Sequence, residues 1–384
     1  MERQIYLDNS ATTRVDDRVV ELMKKAFLSD YGNPSSMHVM GINSNAYAEK
    51  AGRQLAASLG CDPKNFIYTS CGTESDNLAI IGGALANSRT GKHIITTAVE
   101  HPAVTESVKR LTEYGFETSY LSVDESGVID LDELKSALRP DTCLVSIMAV
   151  NNETGAVMPI AGAGLIIKEN NKKTLFHVDA VQGFGHLALR PASMNIDLLS
   201  ISGHKIHGPK GVGALYIAKG VKVKSLMVGG GQQGNLRSGT LNIPGIAGLG
   251  LAAELATKDI EGKRKKLFAL KNRLARGIAE LGDIHINGPE INEGAPHILN
   301  VSFAGVRAEV LLHALEEKGI FVSSGSACAS HHPGVSAALK AMGLPDKYLT
   351  SAIRFSMSEW TTEEEIDYTV SSLGELLPIL RRFR

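Results

Sequence analysis

The chain has 384 residues, of which 43% are apolar and 21% charged, and 40 Lys and Arg stand against 41 Asp and Glu for a formal net charge of −1. That balance excludes a disordered chain and lends nothing to nucleic-acid binding; the length fits two or three domains whose cores need no disulfide or metal staple. Four cysteines without C-x-x-C spacing argue against a disulfide scaffold, a zinc ribbon or a thioredoxin motif.

From the N-terminus, Met1 to Asp8 lacks the apolar core of a signal peptide. The first two-thirds of the chain alternate short β-rich runs with helix-period segments. Strands are predicted at Phe66–Thr69, His93–Thr97, Glu117–Leu121, Leu144–Val150, Thr174–Val178, Asp197–Ser202 and Val212–Ile217. Helices are predicted between several of them, at Glu74–Ala86, Ala103–Tyr114 and Leu131–Leu138. Such alternation implies βαβ units and a mostly parallel sheet covered on both faces. The nearly continuous apolar run from Cys143 to Val150 suits a strand buried on both sides.

From about Thr240 the texture changes. Ala247–Leu281 reads as one or two long helices, and the basic run Lys263–Lys266 as a solvated helix face. Then come strand Ile298–Phe303, helix Ala308–Lys318, strands Ile320–Val322 and Ala352–Ser356, and a closing helix with Thr361 as N-cap and Glu364 as its capping-box partner. The longest charge-free stretch, Gly319 to Leu339, carries Ser, His331, His332 and Pro333, so it is no membrane span. A second, smaller α+β domain packed closely on the first is expected, in a soluble cytoplasmic protein with no nucleic-acid or membrane partner.

In an open parallel sheet, ligands sit beyond the carboxyl ends of the strands. Ser70-Cys71-Gly72-Thr73-Glu74-Ser75 leads from a strand into a helix, where free N–H groups can meet an anion. A plain N-cap at Thr73 or Ser75 is the simpler reading of that segment alone. Later strands are followed by Asn151–Gly155, by Asp179–Gln182 and by Gly203-His204-Lys205 running on to Gly211, each an ordinary turn taken singly. Together they place an acid and an amine at two strand ends of one sheet, near a possible phosphate site. Pyridoxal phosphate (PLP) needs that set: a lysine for its aldehyde, a carboxylate for its ring nitrogen and donors for its phosphate.

Ser202-Gly203-His204-Lys205 followed by Gly208-Pro209-Lys210-Gly211 resembles the lysine motif of the cysteine desulfurases (NifS/IscS type), in the class V aminotransferase family of PLP-dependent enzymes. Tyr6–Thr13, Gly32–Ser36, Glu100-His101, Asn151–Gly155, His177–Gln182, Arg237–Thr240, Ser323–Cys328 and Ile353–Ser356 match as well, in family order. The resemblance runs from residue 5 to about residue 370.

It implies PLP fold type I, an α/β architecture. Residues 16–257 are expected to form a large domain with a mostly parallel seven-stranded sheet between helices. Residues 1–15 and 258–384 are expected to form a smaller α+β domain carrying a mobile cysteine loop. By resemblance, Lys205 bonds the cofactor, Asp179 partners the pyridine nitrogen, His101 stacks on the ring and moves protons, and Gln182 meets the ring hydroxyl. Gly72, Thr73, Ser202 and His204 are implied as the phosphate cradle, joined by Thr240 from the second subunit of a homodimer. Asn152 and Arg354 are implied as the clamp on the substrate carboxylate, which suits a guanidinium fork.

An enzyme that only moves an amino group needs no second nucleophile, whereas one that removes sulfur from cysteine needs a thiolate. A free cysteine by itself is most simply a buried packing residue. With the motif around it, Cys328 is implied as the residue that attacks the sulfur of L-cysteine, leaving L-alanine and a persulfide. The sulfur then passes to an acceptor protein, an iron–sulfur scaffold or a thiolation carrier. The alternatives are a selenocysteine lyase, an aminotransferase of the same fold, or a non-catalytic sulfur-assembly scaffold. Cys143 reads as packing and Cys61 as incidental, while Cys71 departs from the small residue expected there in the family. Cys328, His331 and His332 fall short of the four ligands of a closed zinc site, so no metal is expected. The chain stops at Arg384, short of the tail by which the family's housekeeping branch docks its scaffold, so that docking mode is in doubt.

Overall fold

Apolar runs become a sheet here because their backbones pair in register and their side chains find cover on both sides. The computed structural model describes residues 4–324 and 335–382. After a short β1 (Ile5–Tyr6) come β2 (Phe66–Thr69), β3 (His93–Thr97), β4 (Glu117–Leu121), β5 (Thr142–Met148), β6 (Leu175–Asp179), β7 (Leu198–Ser202) and β8 (Gly213–Ile217). Strands β2 to β8 form one seven-stranded sheet in the order β2-β8-β7-β6-β5-β3-β4. It is parallel except that β8 runs against both its neighbours, β2 and β7. Along the central strands, successive side chains alternate between two apolar cores: Ile94, Leu144 and Leu198 enter one, and Ile95, Val145 and Leu199 the other. That two-residue period covers both faces of the sheet, as the nearly continuous apolar run of β5 requires.

Strand boundaries in the large sheet move from the predicted ones by one residue at the starts of β7 and β8, and at both ends of β5 and β6. β5 begins and ends two residues early, and β6 takes in Asp179 as its last residue. Apolarity marks what is buried, but the ladder decides what is strand: Asp179 pairs with Met148, and its carbonyl accepts the Ala149 N–H at 2.8 Å.

The second half of the chain builds β9 (Ile284–Asn287), β10 (Ile298–Phe303), β11 (Ile320–Phe321), β12 (Ser323–Ser324) and β13 (Ala352–Ser356). An antiparallel sheet runs β12-β13-β10-β9, and β1 pairs in parallel with β11. Its apolar face packs on Leu267, Leu270 and Leu274 of helix Ile260–Ala279 and on Ile366, Leu373 and Leu377 of helix Glu363–Leu380. β9 escapes prediction because four residues carry too little periodicity.

The apolar stretch after Thr240 resolves into two helices, Ile243–Thr257 and Ile260–Ala279, broken where Asp259 accepts the Gly262 N–H at 3.1 Å as an N-cap. The first packs so closely on helix Val39–Leu59 that a Cβ at Gly250 would stand 2.5 Å from Ala51 Cα. The closing capping box sits one residue later than expected. Thr362 Oγ1 accepts the Glu365 N–H at 3.2 Å, and Glu365 accepts the Thr362 N–H at 2.9 Å. No described helix is long and apolar enough to cross a membrane.

Candidate active site

Because β2 and β7 both oppose β8, they run the same way, and their carboxyl ends open on the edge where β6 also ends. β6 delivers Asp179, and β7 delivers Ser202 and the tight turn Gly203–Lys205. β2 leads through Ser70 and Cys71 into a helix starting at Gly72. His101 N-caps helix Pro102–Thr112 after β3, and Asn152 lies on the loop after β5. Arg354 reaches in from β13 of the smaller sheet. Of these, Asp179, Ser202, Lys205, Gly72, His101, Asn152 and Arg354 line one cavity of about 300 Å³, with Thr73, Gln182 and His204 completing that part of the predicted set.

Lys205 Nζ donates to the carbonyl oxygens of Ser10 and Ala11, at 2.5 and 2.9 Å. Asp179 is only 5% exposed and accepts the Val181 N–H at 2.9 Å. Burial pushes its carboxyl above the usual range, while the Val181 hydrogen bond and the nearby His101 and Lys205 pull it back. His101 Nδ1 accepts the Ala103 N–H at 3.1 Å, so a neutral ring carries its proton on Nε2. Burial also holds this imidazole below its ordinary value. His204, 3.2 Å from Thr12 Oγ1, is pushed down to about 4 by burial and is neutral at pH 7.

Ser202 Oγ is buried and has no hydrogen-bond partner among the described residues. A Cβ at Gly72 would come within 2.8 Å of Val181 Cγ2, so the backbone approaches closely there. Gln182 Nε2 donates to the Ser10 carbonyl at 2.8 Å. Arg354 donates to the Asn152 carbonyl and to Asp8 Oδ1, each at 2.8 Å. Thr240 is exposed and does not line the cavity. Cys328, His331 and His332 lie outside the described residues. Cys143 is fully buried and pushed up to about 12 by burial, whereas Cys71 lines the cavity.

The sequence reading gives no role to two acids beside this site, Asp76 and Glu100, although Glu100 falls in a matching segment. Asp76 lines the same cavity at 1% exposure, its Oδ1 unpartnered among the described residues and 3.6 Å from His177 Nε2. Burial, reinforced by the charge of Asp179, pushes it well above the carboxylate range. Glu100 accepts from Thr97 Oγ1 and from the Met148 N–H, each at 2.9 Å, and burial pushes it to about 8. At about 8, Glu100 is mostly protonated at neutral pH and adds little negative charge beside Asp179, and the upward push on Asp76 acts in the same sense. Asp76 had one legible signal, its i+4 spacing from Gly72, which puts the two on one helix face. The cavity thus gathers an amine, a carboxylate, a neutral imidazole and unspent hydrogen-bond donors, which together can bind an anionic carbonyl compound and move a proton beside it.

The chain matches the aminotransferase class-V family over residues 5–369. A cysteine desulfurase of Nostoc sp. is 46% identical over 378 residues, spanning 98% of this chain and 94% of that protein. The cysteine desulfurase IscS of Methanosarcina thermophila is 44% identical over 379 residues, spanning 99% and 93%. Among solved structures, a NifS-like protein superposes with a TM-score of 0.93 at 42% identity, covering 98% of this chain and 100% of that one. A structure described as SspA in complex with cysteine gives a TM-score of 0.81 at 33% identity, covering 94% and 100%.

Proposed function

We propose that this chain, which belongs to the class V aminotransferase family, is a PLP-dependent cysteine desulfurase that converts L-cysteine to L-alanine and hands the sulfur to an acceptor. The observation that carries this most is the single cavity shared by Lys205, Asp179 and His101 beside the helix start at Gly72. The residues fit the cofactor. The orphaned Ser202 hydroxyl and the close backbone approach at Gly72 suit a phosphate, with Thr73 and His204 beside them. Asp179 would hold the ring nitrogen, Gln182 the ring hydroxyl, His101 the ring face and Lys205 the aldehyde carbon. When bound, PLP supplies an electron sink that stabilises negative charge at the substrate α-carbon.

The rest falls to the chain itself. Arg354 and Asn152 orient the substrate carboxylate, since a guanidinium fork matches its two oxygens. Lys205 Nζ takes the α-proton, and His101 holds a movable proton on Nε2. Cys328, as its thiolate, attacks the substrate sulfur. A sulfur–sulfur bond forms, the bond between sulfur and the substrate β-carbon breaks, and its electron pair stays on carbon, which is protonated to give alanine. The Cys328 persulfide then passes its outer sulfur to a carrier for iron–sulfur cluster assembly or thiolation.

In this proposal the enzyme is a cytoplasmic homodimer, with residues 16–257 as the large domain and 1–15 with 258–384 as the small one. Phe27, Leu28, Tyr31, Val39 and Ile42 leave large apolar side chains exposed on neighbouring parts of the chain, which supports a second copy as cover. Thr240 is exposed as well, as reaching a neighbouring protomer's phosphate requires.

Replacing Cys328 tests the route. Cys328→Ala is expected to keep the visible absorbance of lysine-bound cofactor and to lose alanine and sulfide production. Normal turnover in that variant removes Cys328 from the reaction. Absence of a borohydride-reducible chromophore on wild-type Lys205 ends the proposal as a whole. Parallel assays with selenocysteine, and with an amino acid plus a keto acid, are expected to run slower than with cysteine.

A further inference from the structure

The carboxylate of Glu74 belongs to the first turn of the helix that starts at Gly72. An acid so near a phosphate dianion is repulsive unless something cancels it. Its local task is plain: Glu74 Oε2 accepts the Ser70 N–H at 2.7 Å and so fixes the turn that aims Gly72 and Thr73. Arg237 grips the same carboxylate with two donors, Nε to Oε1 at 2.8 Å and Nη2 to Oε2 at 3.3 Å. Each of the two side chains is 19% exposed. Burial pushes the Glu74 carboxyl up, but the hydrogen bonds from Arg237 and Ser70 outweigh it and keep the group ionised.

Arg237 is held in place from behind. Gln233, at a left-handed φ of 50°, accepts the Tyr68 N–H through Oε1 at 2.7 Å and donates Nε2 to the Tyr68 carbonyl at 2.9 Å. Its amide thus stands in for a neighbouring strand on the open edge of β2. Gln232 Oε1 accepts the Gly239 N–H at 2.8 Å, and the Met227 carbonyl accepts the Ser238 N–H at 3.1 Å. The segment is fastened on both sides of Arg237, which fixes where the guanidinium lies.

We infer that Arg237 is a positioning residue for the cofactor phosphate, neutralising Glu74 so that the turn into Gly72 keeps both its shape and a potential that favours an anion. This rests on Gly72, Thr73 and Ser202 as the phosphate cradle proposed above, where the buried, unpartnered Ser202 hydroxyl marks the place of a ligand.

The test compares dissociation constants of the apoenzyme for PLP and for pyridoxal, which lacks the phosphate, by absorbance titration. Arg237→Gln is expected to weaken PLP roughly tenfold and to leave pyridoxal unchanged, since only the phosphate meets the exposed charge. Adding Glu74→Gln is expected to restore PLP affinity. Unchanged PLP binding in Arg237→Gln, equal weakening of both ligands, or no restoration in the double variant overturns the inference. Should Arg237→Gln not fold, Glu74→Gln alone decides: PLP but not pyridoxal is expected to bind more tightly, and unchanged or weaker PLP binding overturns it. A wild type that gains nothing from the phosphate sinks the cradle itself, a different outcome from failure of the Arg237 role.

Discussion

Arg354 and Asp8 close an ion pair at 2.8 Å although 346 residues separate them in the chain. Both side chains are largely buried, and Arg354 Nε has no partner among the described residues. Burial pushes the Asp8 carboxyl up and the guanidinium draws it back. The fork proposed for the substrate carboxylate is thus stationed against a resident one, which the substrate must displace or share.

Asp8→Asn therefore leaves a buried cation without its counter-charge, at a cost of about 3 kcal/mol by urea unfolding. A bound substrate carboxylate takes that place. L-alanine is expected to raise the unfolding midpoint more in the variant than in the wild type, and the KM for cysteine is expected to fall. Equal stabilisation with an unchanged KM would show that Asp8 does not compete for the fork.

Asp179→Asn removes the negative charge proposed to face the ring nitrogen, and turnover is expected to fall on the order of 100-fold while the fold persists. Burial raises the Asp179 carboxyl, so on acidification it takes its proton at a higher pH than an ordinary aspartate. The acid limb of the apoenzyme's affinity for PLP should accordingly lie above the ordinary aspartate value and vanish in the variant. A variant that keeps that limb would assign it to another group.

His177 makes stability depend on pH in a stated direction. Its ring lies between Ser146 Oγ at 2.8 Å and Ser200 Oγ at 3.0 Å, and burial holds it down to about 3, against 6.5 for a free imidazole. Between those values the unfolded chain binds a proton that the folded chain refuses. Stability therefore falls as pH drops from 6.5 toward 3, by about 2 kcal/mol between pH 6.5 and pH 5 from this group. His177→Gln, which can still hydrogen-bond both hydroxyls, should show a shallower loss in urea titrations at the two pH values; parallel curves would reject the assignment.

Much of this architecture was legible in the amino acids. Alternating apolar runs and helical periods mark the seven strands of the large sheet, and the polar residues at their ends, Asp179, Ser202 and Lys205, do share one cavity. The closing helix shows where such reading stops. Thr361 and Thr362 each have an acid three residues on, so local pattern cannot choose between them. Thr361 is buried and its hydroxyl accepts the Ser358 N–H at 3.1 Å, which leaves the cap to Thr362. Asp76 and Glu100 look like ordinary polar residues until packing removes their water.

From the order of its residues alone, this protein declares its periodicities, its strand ends and the chemical types waiting there, because backbone geometry repeats over a few neighbours. Which carboxyls keep their protons, which acid Arg237 cancels, and which carbonyls hold Lys205 were decided only by the tertiary structure. Desolvation and Coulomb forces act through space, between groups brought together from opposite ends of the chain.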